Sequence, residues 1–188
     1  MQSPEALVAA LAVLQDPRLV RAARRAPLPK GVAFLLEAAV GEADAIAAAT
    51  AVTGRSEPVL RKAAGFFIEQ VLLYRQSDSF RILGADRTMP EGQIRRHMAL
   101  LMRWLHPDLA GNGASHQFDK TAYAARVANA WESIKTGERR AAYEASHRNP
   151  SNQARTVSND SGRRKSGANR ARRRVAWKQF LSLLAGRR

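Results

Sequence analysis

The sequence predicts an all-α protein, and three observations carry that prediction. Apolar residues recur at i, i+3, i+4 and i+7 in one segment after another, the spacing of one helix face. The first 76 residues are rich in alanine, the strongest intrinsic helix former. Between the segments stand Ser, Asp, Pro and Gly at positions that start and stop helices.

The elements follow in order. Ser3-Pro4-Glu5 pairs a capping serine with proline at a first helical position, and the helix it opens runs to about Gln15. Asp16-Pro17 repeats the signal for a helix to about Arg25. Pro27-Leu28-Pro29-Lys30-Gly31 is a break, followed by helices over about Val32–Ala39 and Ala43–Ala51. Thr53-Gly54-Arg55 stops the second of these, and Ser56-Glu57-Pro58 starts another. That helix carries Leu60, Ala64, Phe67, Ile68, Val71 and Leu72 on one face. Residues 1–76 therefore read as a small helical module, a scaffold in the first instance and a partner-binding groove in the second. Glu37, Glu42 and Asp44 read as surface positions on it.

A short helix over Phe80–Leu83 ends at Gly84. A longer one runs from Pro90 to Leu105, with Ile94, Met98, Leu101 and Leu105 inward. Pro107 removes a backbone donor and biases His106 out of helical geometry, so His106-Pro107-Asp108 is expected on a loop. Gly111-Asn112-Gly113 marks a turn within that loop. The next helix spans about Phe118–Lys135, with Tyr123, Val127, Trp131 and Ile134 inward, and Thr136-Gly137 breaks it. A short last helix holds Arg139, Arg140 and Tyr143.

Charge separates the C-terminal part from the rest. The chain of 188 residues has a formal net charge of +15. Residues 151–188 hold 11 basic residues and one acidic, a net +10, and the first 150 residues hold 20 and 15, a net +5. Residues 149–170 are polar, cannot bury enough apolar surface to offset ordering entropy, and are expected to be a disordered linker. Over 171–186, Trp177, Phe180, Leu181 and Leu184 fall at i, i+3, i+4 and i+7 beside Arg172, Arg173, Arg174 and Lys178, which predicts a basic amphipathic helix. Arg172, Arg173, Arg174, Trp177, Lys178 and Phe180 are its candidate contacts with an anionic surface. Such a helix fits an anionic membrane surface, a protein groove, or packing on its own chain. Nucleic acid ranks behind, because phosphate binding does not require the aromatic face.

Several chemistries lack residues. No cysteine is present, which removes disulfides, thiolate catalysis and cysteine zinc sites, and fits a cytoplasmic compartment. None of the four histidines has a histidine or carboxylate four residues away, so no metal is expected. No phosphate-cradling glycine loop or nucleophile elbow occurs, and neither a catalytic residue nor a cofactor is expected. The apolar run 32–52 is interrupted by Glu37, Glu42 and Asp44, and no secretory signal or spanning helix is expected.

The segment from 79 to 145 resembles the J domain of the DnaJ co-chaperone family. Phe80-Arg81-Ile82-Leu83-Gly84 is similar to that family's opening, and Ile94-Arg95-Arg96 to its Ile-Lys-Lys. His106-Pro107-Asp108 matches its signature, Asn129-Ala130-Trp131-Glu132 its Glu-Ala-Tyr-Glu, and Arg139-Arg140-Ala141-Ala142-Tyr143-Glu144 its closing motif. Five matches in order, at compatible spacing, are far more specific than the triplet. The resemblance covers about a third of the chain.

It implies a hairpin of two antiparallel helices, II and III, flanked by short helices I and IV. It also implies docking on an ATP-loaded chaperone of the DnaK type, whose ATP hydrolysis is stimulated. His106, Pro107, Asp108, Arg95, Arg96 and Arg103 are the implied chaperone contacts. Arg96 and Arg103, seven residues apart, share a helix face that can steer onto an acidic surface. The client is not implied. The chain departs from the family where Met98-Ala99-Leu100, Trp104 and Leu109-Ala110 replace positions that are usually basic or, for the first, Tyr-basic. A thinner positive face and weaker electrostatic help in docking follow.

Overall fold

The computed structural model describes residues 3–106 and 120–148, and every regular element among them is helical. In chain order these are α1 (Glu5–Gln15), a 3-10 turn (Pro17–Leu19), α2 (Val20–Arg25), α3 (Val32–Val40), α4 (Ala43–Thr53) and α5 (Glu57–Phe67). A π turn (Ile68–Leu72) extends α5, and then come α6 (Ser79–Ile82), α7 (Glu91–Trp104), α8 (Lys120–Ile134) and α9 (Gly137–Arg148). The expected loop beyond Pro107, the linker and the terminal amphipathic helix lie outside the described residues.

Most boundaries fall where the sequence places them. The capping serine expected at position 3 does not cap: Pro4 is the N-cap of α1, which starts at Glu5 with no side-chain cap bond. Ser56 precedes α5 likewise without one. Asp16 Oδ1 accepts the backbone N–H of Arg18, which sets the 3-10 turn before α2. Asp78 Oδ1 accepts Arg81 N–H at 2.8 Å and starts α6. The helix expected from Ser56 becomes α5 and then loosens: Leu73 N–H donates to Ile68 O, five residues back, at 2.8 Å. This wider turn lets Val71, Leu72 and Leu73 all be buried. Arg126 from α8 closes its end, donating to Leu73 O and Tyr74 O at 2.6 and 2.8 Å.

Helix α3 is the centre of the fold. It packs against α1, α4, α5 and α7. Phe34, Leu35 and Leu36, consecutive residues pointing in different directions, are all buried, so α3 is covered on nearly every side. Burial of each such side chain contributes about 1.5–3 kcal/mol. The described residues of 1–76 and 79–145, expected as a helical module and a following domain, pack into one core through the contacts of α3 with α1, α5 and α7. The described residues up to Glu144 form a single compact unit.

Three expectations change in detail. Glu37 is buried, at 3% exposure, and not on the surface, because the helix that carries it is surrounded. On α8 the buried residues are Ala124, Val127, Ala130 and Ile134, while Tyr123 and Trp131 are only half-buried. Small side chains let α8 approach its neighbours closely, and the two large rings lie at the margin. The last helix, expected to be short, has 12 residues.

Candidate docking site

Helix α7 positions most of the candidate contacts, and its burial is wider than one stripe. Ile94, Met98, Leu101 and Leu105 are buried as expected. His97, Leu100 and Met102 are buried too. A helix that meets one neighbour buries one face, whereas α7 meets α3 and α8.

Arg96, Leu100 and Arg103 follow one another at i, i+4 and i+7, so they share a face. That face meets the acidic residues of the N-terminal region. Arg96 Nη2 donates to Glu37 Oε1 at 2.6 Å, and Arg103 Nη1 to Glu42 Oε1 at 3.2 Å. The first pair is asymmetric: the Glu37 side chain is 4% exposed and the Arg96 side chain 61%. The carboxylate cannot reach bulk water and depends on the guanidinium that reaches in to it. Next to these, Trp104 lies over Gly65 of α5, where a Cβ in place of the glycine hydrogen would lie 3.4 Å from the indole. Trp104 is half-buried by this contact. Arg95 points elsewhere. It is exposed and makes no ion pair among the described residues.

His106 follows directly. Leu105 N–H donates to Leu101 O at 2.9 Å, the last helical bond, and His106 N–H turns back to Arg103 O at 3.1 Å. Its side chain is half-buried. Pro107 and Asp108 lie outside the described residues, as do Arg172, Arg173, Arg174, Trp177, Lys178 and Phe180. Of the sequence-derived contacts, then, the structure brings Arg96 and Arg103 to one face and leaves Arg95 on another.

His97 is a residue whose importance periodicity understated. It sits three residues after Ile94 and four before Leu101, inside the apolar stripe, and is 2% exposed. Burial pushes its pKa below the ordinary histidine value of 6.5, the Arg96 charge adds to this, and backbone hydrogen bonds at Leu83 and Gly84 oppose it. In the neutral ring Nδ1–H donates to Leu83 O at 3.1 Å. Gly84 makes room for this arrangement. It has φ +62°, and a Cβ there would lie 2.6 Å from Val32 Cγ1 and 3.6 Å from His97 Nδ1. The glycine read as a helix stop is also the point where α3, α7 and the end of α6 meet.

Beside the site, Phe80 and Tyr143 meet edge to face with centroids 5.9 Å apart. Tyr143 Oη accepts Ser79 N–H at 2.9 Å. Arg140 Nη1 donates to Met89 O at 3.1 Å, which ties α9 to the turn that leads into α7. Arg139 and Lys135 both pair with Glu132, and their hydrogen bonds, that from Lys135 foremost, hold its carboxyl below the usual range.

Among the described residues no three His, Asp or Glu side chains gather as a metal site would need. Comparison with protein-family models, curated proteins and solved structures finds no match for this chain.

Proposed function

We propose that the chain is a J-domain co-chaperone that docks on a DnaK-type chaperone and stimulates its ATP hydrolysis. The observation that carries the proposal is the ordered series of five motif matches around His106-Pro107-Asp108. Two features support it. Helix α7 ends at Trp104, with Leu105 as its cap directly before the triplet. The first and last motifs meet through Phe80 and Tyr143, and Arg140 of α9 reaches Met89 near the start of α7, contacts compatible with an antiparallel hairpin.

In this reading the protein carries no catalytic group of its own. ATP and its chemistry belong to the partner. The docking loop and the basic side chains bind the partner's hydrolysis-competent state more tightly than its resting state, and the population shifts toward turnover. The N-terminal region buttresses α7 and sets its orientation. The test is a single-turnover ATPase assay with chaperones from the same cell. Wild type is expected to accelerate hydrolysis, and His106→Gln or Asp108→Asn to remove the acceleration with the fold intact. No acceleration of any of those chaperones sinks the proposal.

A second reading gains from one observation. Arg96 and Arg103 are already engaged by Glu37 and Glu42. A basic adaptor that has the J fold but does not stimulate ATPase would tolerate that engagement without cost. The same assay separates the two readings.

The location we propose is the cytoplasm, with the basic tail holding the protein to an anionic membrane surface. Eleven basic residues against one acidic in 151–188, with Trp177 and Phe180 among them, support this. Vesicles containing phosphatidylserine are expected to co-sediment the full chain and to leave a chain ending at Asn149 in the supernatant. Equal sedimentation of both removes the tail from the reading.

A further inference from the structure

Arg21, Arg24 and Arg25 lie at i, i+3 and i+4 on α2, so they form one side of that short helix. Opposite them is the segment from Tyr74 to Arg81. Between the two opens a cleft of about 580 Å³, lined by those three arginines, Tyr74, Gln76, Ser77, Asp78 and Arg81. It lies within Met1–Glu144 and shares no residue with the docking face on α7. We propose that this cleft binds a small ligand carrying a pyrophosphate group.

The common fate of clustered arginines is a solvated face, but two of these are fixed in place. Arg24 donates from Nε to Gln70 O at 2.7 Å and from Nη2 to Gln70 Oε1 at 3.0 Å, and its guanidinium lies 3.8 Å over the Tyr74 ring. Arg81 donates from Nη2 to Ala23 O at 2.6 Å and to Ala26 O at 3.0 Å. Ordering a long side chain costs rotamer entropy, and here folding has met that cost before any ligand arrives. Each of the two guanidiniums keeps Nη1 free of hydrogen bonds among the described residues. Arg21 and Arg25 stand exposed at the rim and make no ion pair among the described residues.

Charge in the cleft is one-sided. Four arginines face one carboxylate, Asp78, and that carboxylate is committed to capping α6 through Arg81 N–H. The C-terminal end of α2 would by itself repel an anion. Arg81 removes the objection by covering the carbonyls of Ala23 and Ala26. Burial lowers the Arg81 pKa, Asp78 opposing, so the cation is short of solvation that an anion would restore. Several planar guanidinium forks around one space match the oxygens of linked phosphoryl groups, and the volume exceeds what orthophosphate fills.

Calorimetric titration of the full chain with pyrophosphate, at physiological ionic strength, tests this. Sulfate at matched ionic strength controls for general anion binding. Saturable one-to-one binding is expected, weaker by at least about tenfold in Arg21→Gln/Arg25→Gln, since two charged hydrogen-bond donors are removed. Both positions are exposed, so the fold should survive; the Tyr74 ring resonances of wild type, which should shift on titration, give a reading that needs no variant. Arg172→Gln/Arg173→Gln/Arg174→Gln should bind as wild type does. Absence of saturable binding, an unmoved Tyr74, equal binding of sulfate, or a loss in the tail variant as large as in the α2 variant overturns the proposal.

Discussion

His97 shows how a single side chain makes the fold sensitive to acid. Its ring is buried and neutral, with a folded pKa below 6.5. The unfolded chain binds a proton near 6.5, and the folded chain binds it only at lower pH. Stability from this group is therefore complete above about pH 6.5 and is lost as pH falls toward the folded value, by at most about 1.4 kcal/mol per pH unit. Thermal melts between pH 7.5 and 5 (a range set by the ordinary histidine value, about 6.5) are expected to show this decline, and His97→Gln to flatten it. A His97→Gln chain with the wild-type pH dependence would place the acid sensitivity elsewhere.

At the scale of helices, α7 depends on a neighbour whose contribution is partly ionic. Removing the Arg96 guanidinium leaves the Glu37 carboxylate buried without its cation, and Arg96→Ala is expected to lose about 2 kcal/mol in denaturant titration. Arg96→Ala combined with Glu37→Gln should recover part of that loss, because the unpaired charge is gone. Additive losses in the pair would show that the contact carries little. Much of the helical layout is legible in the residues alone. Asp16-Pro17, Gly54 and Gly84 act as boundaries because capping and left-handed backbone are local chemistry. The stripe Ile94, Met98, Leu101 and Leu105 is legible for the same reason. What covers the other side of α7 is not, since periodicity reports that a face is buried and is silent on its neighbour. One clue exists: Glu37 lies within an almost unbroken apolar run from Val32 to Val40, where a lone carboxylate requires a partner. The partner's identity, 59 positions away, is tertiary information. The His-Pro-Asp triplet itself is readable as sequence, whereas Arg95 and Arg96, adjacent in the chain, are told apart only by their surroundings.

For the molecule as a whole, the described residues of the segment from 79 to 145 lean on the N-terminal region. Leu100 and Trp104 are covered in a setting that includes α3 and α5, and Arg81 and Arg126 bond to carbonyls of residues 23, 26, 73 and 74. A chain covering 77–148 alone is expected to melt well below the full chain, or without a cooperative transition, in differential scanning calorimetry. An unchanged transition in that fragment would mean the shared core contributes nothing to it. The pairing of Glu37 with Arg96 also has a meaning in time. A ribosome delivers α3 before α7, so the nascent chain carries a carboxylate destined for the interior while its cation is still untranslated. Until residue 96 emerges, water must serve Glu37, and the hydrophobic surface of α3 cannot close over it. Completion of the N-terminal half during synthesis waits on a residue in the second half.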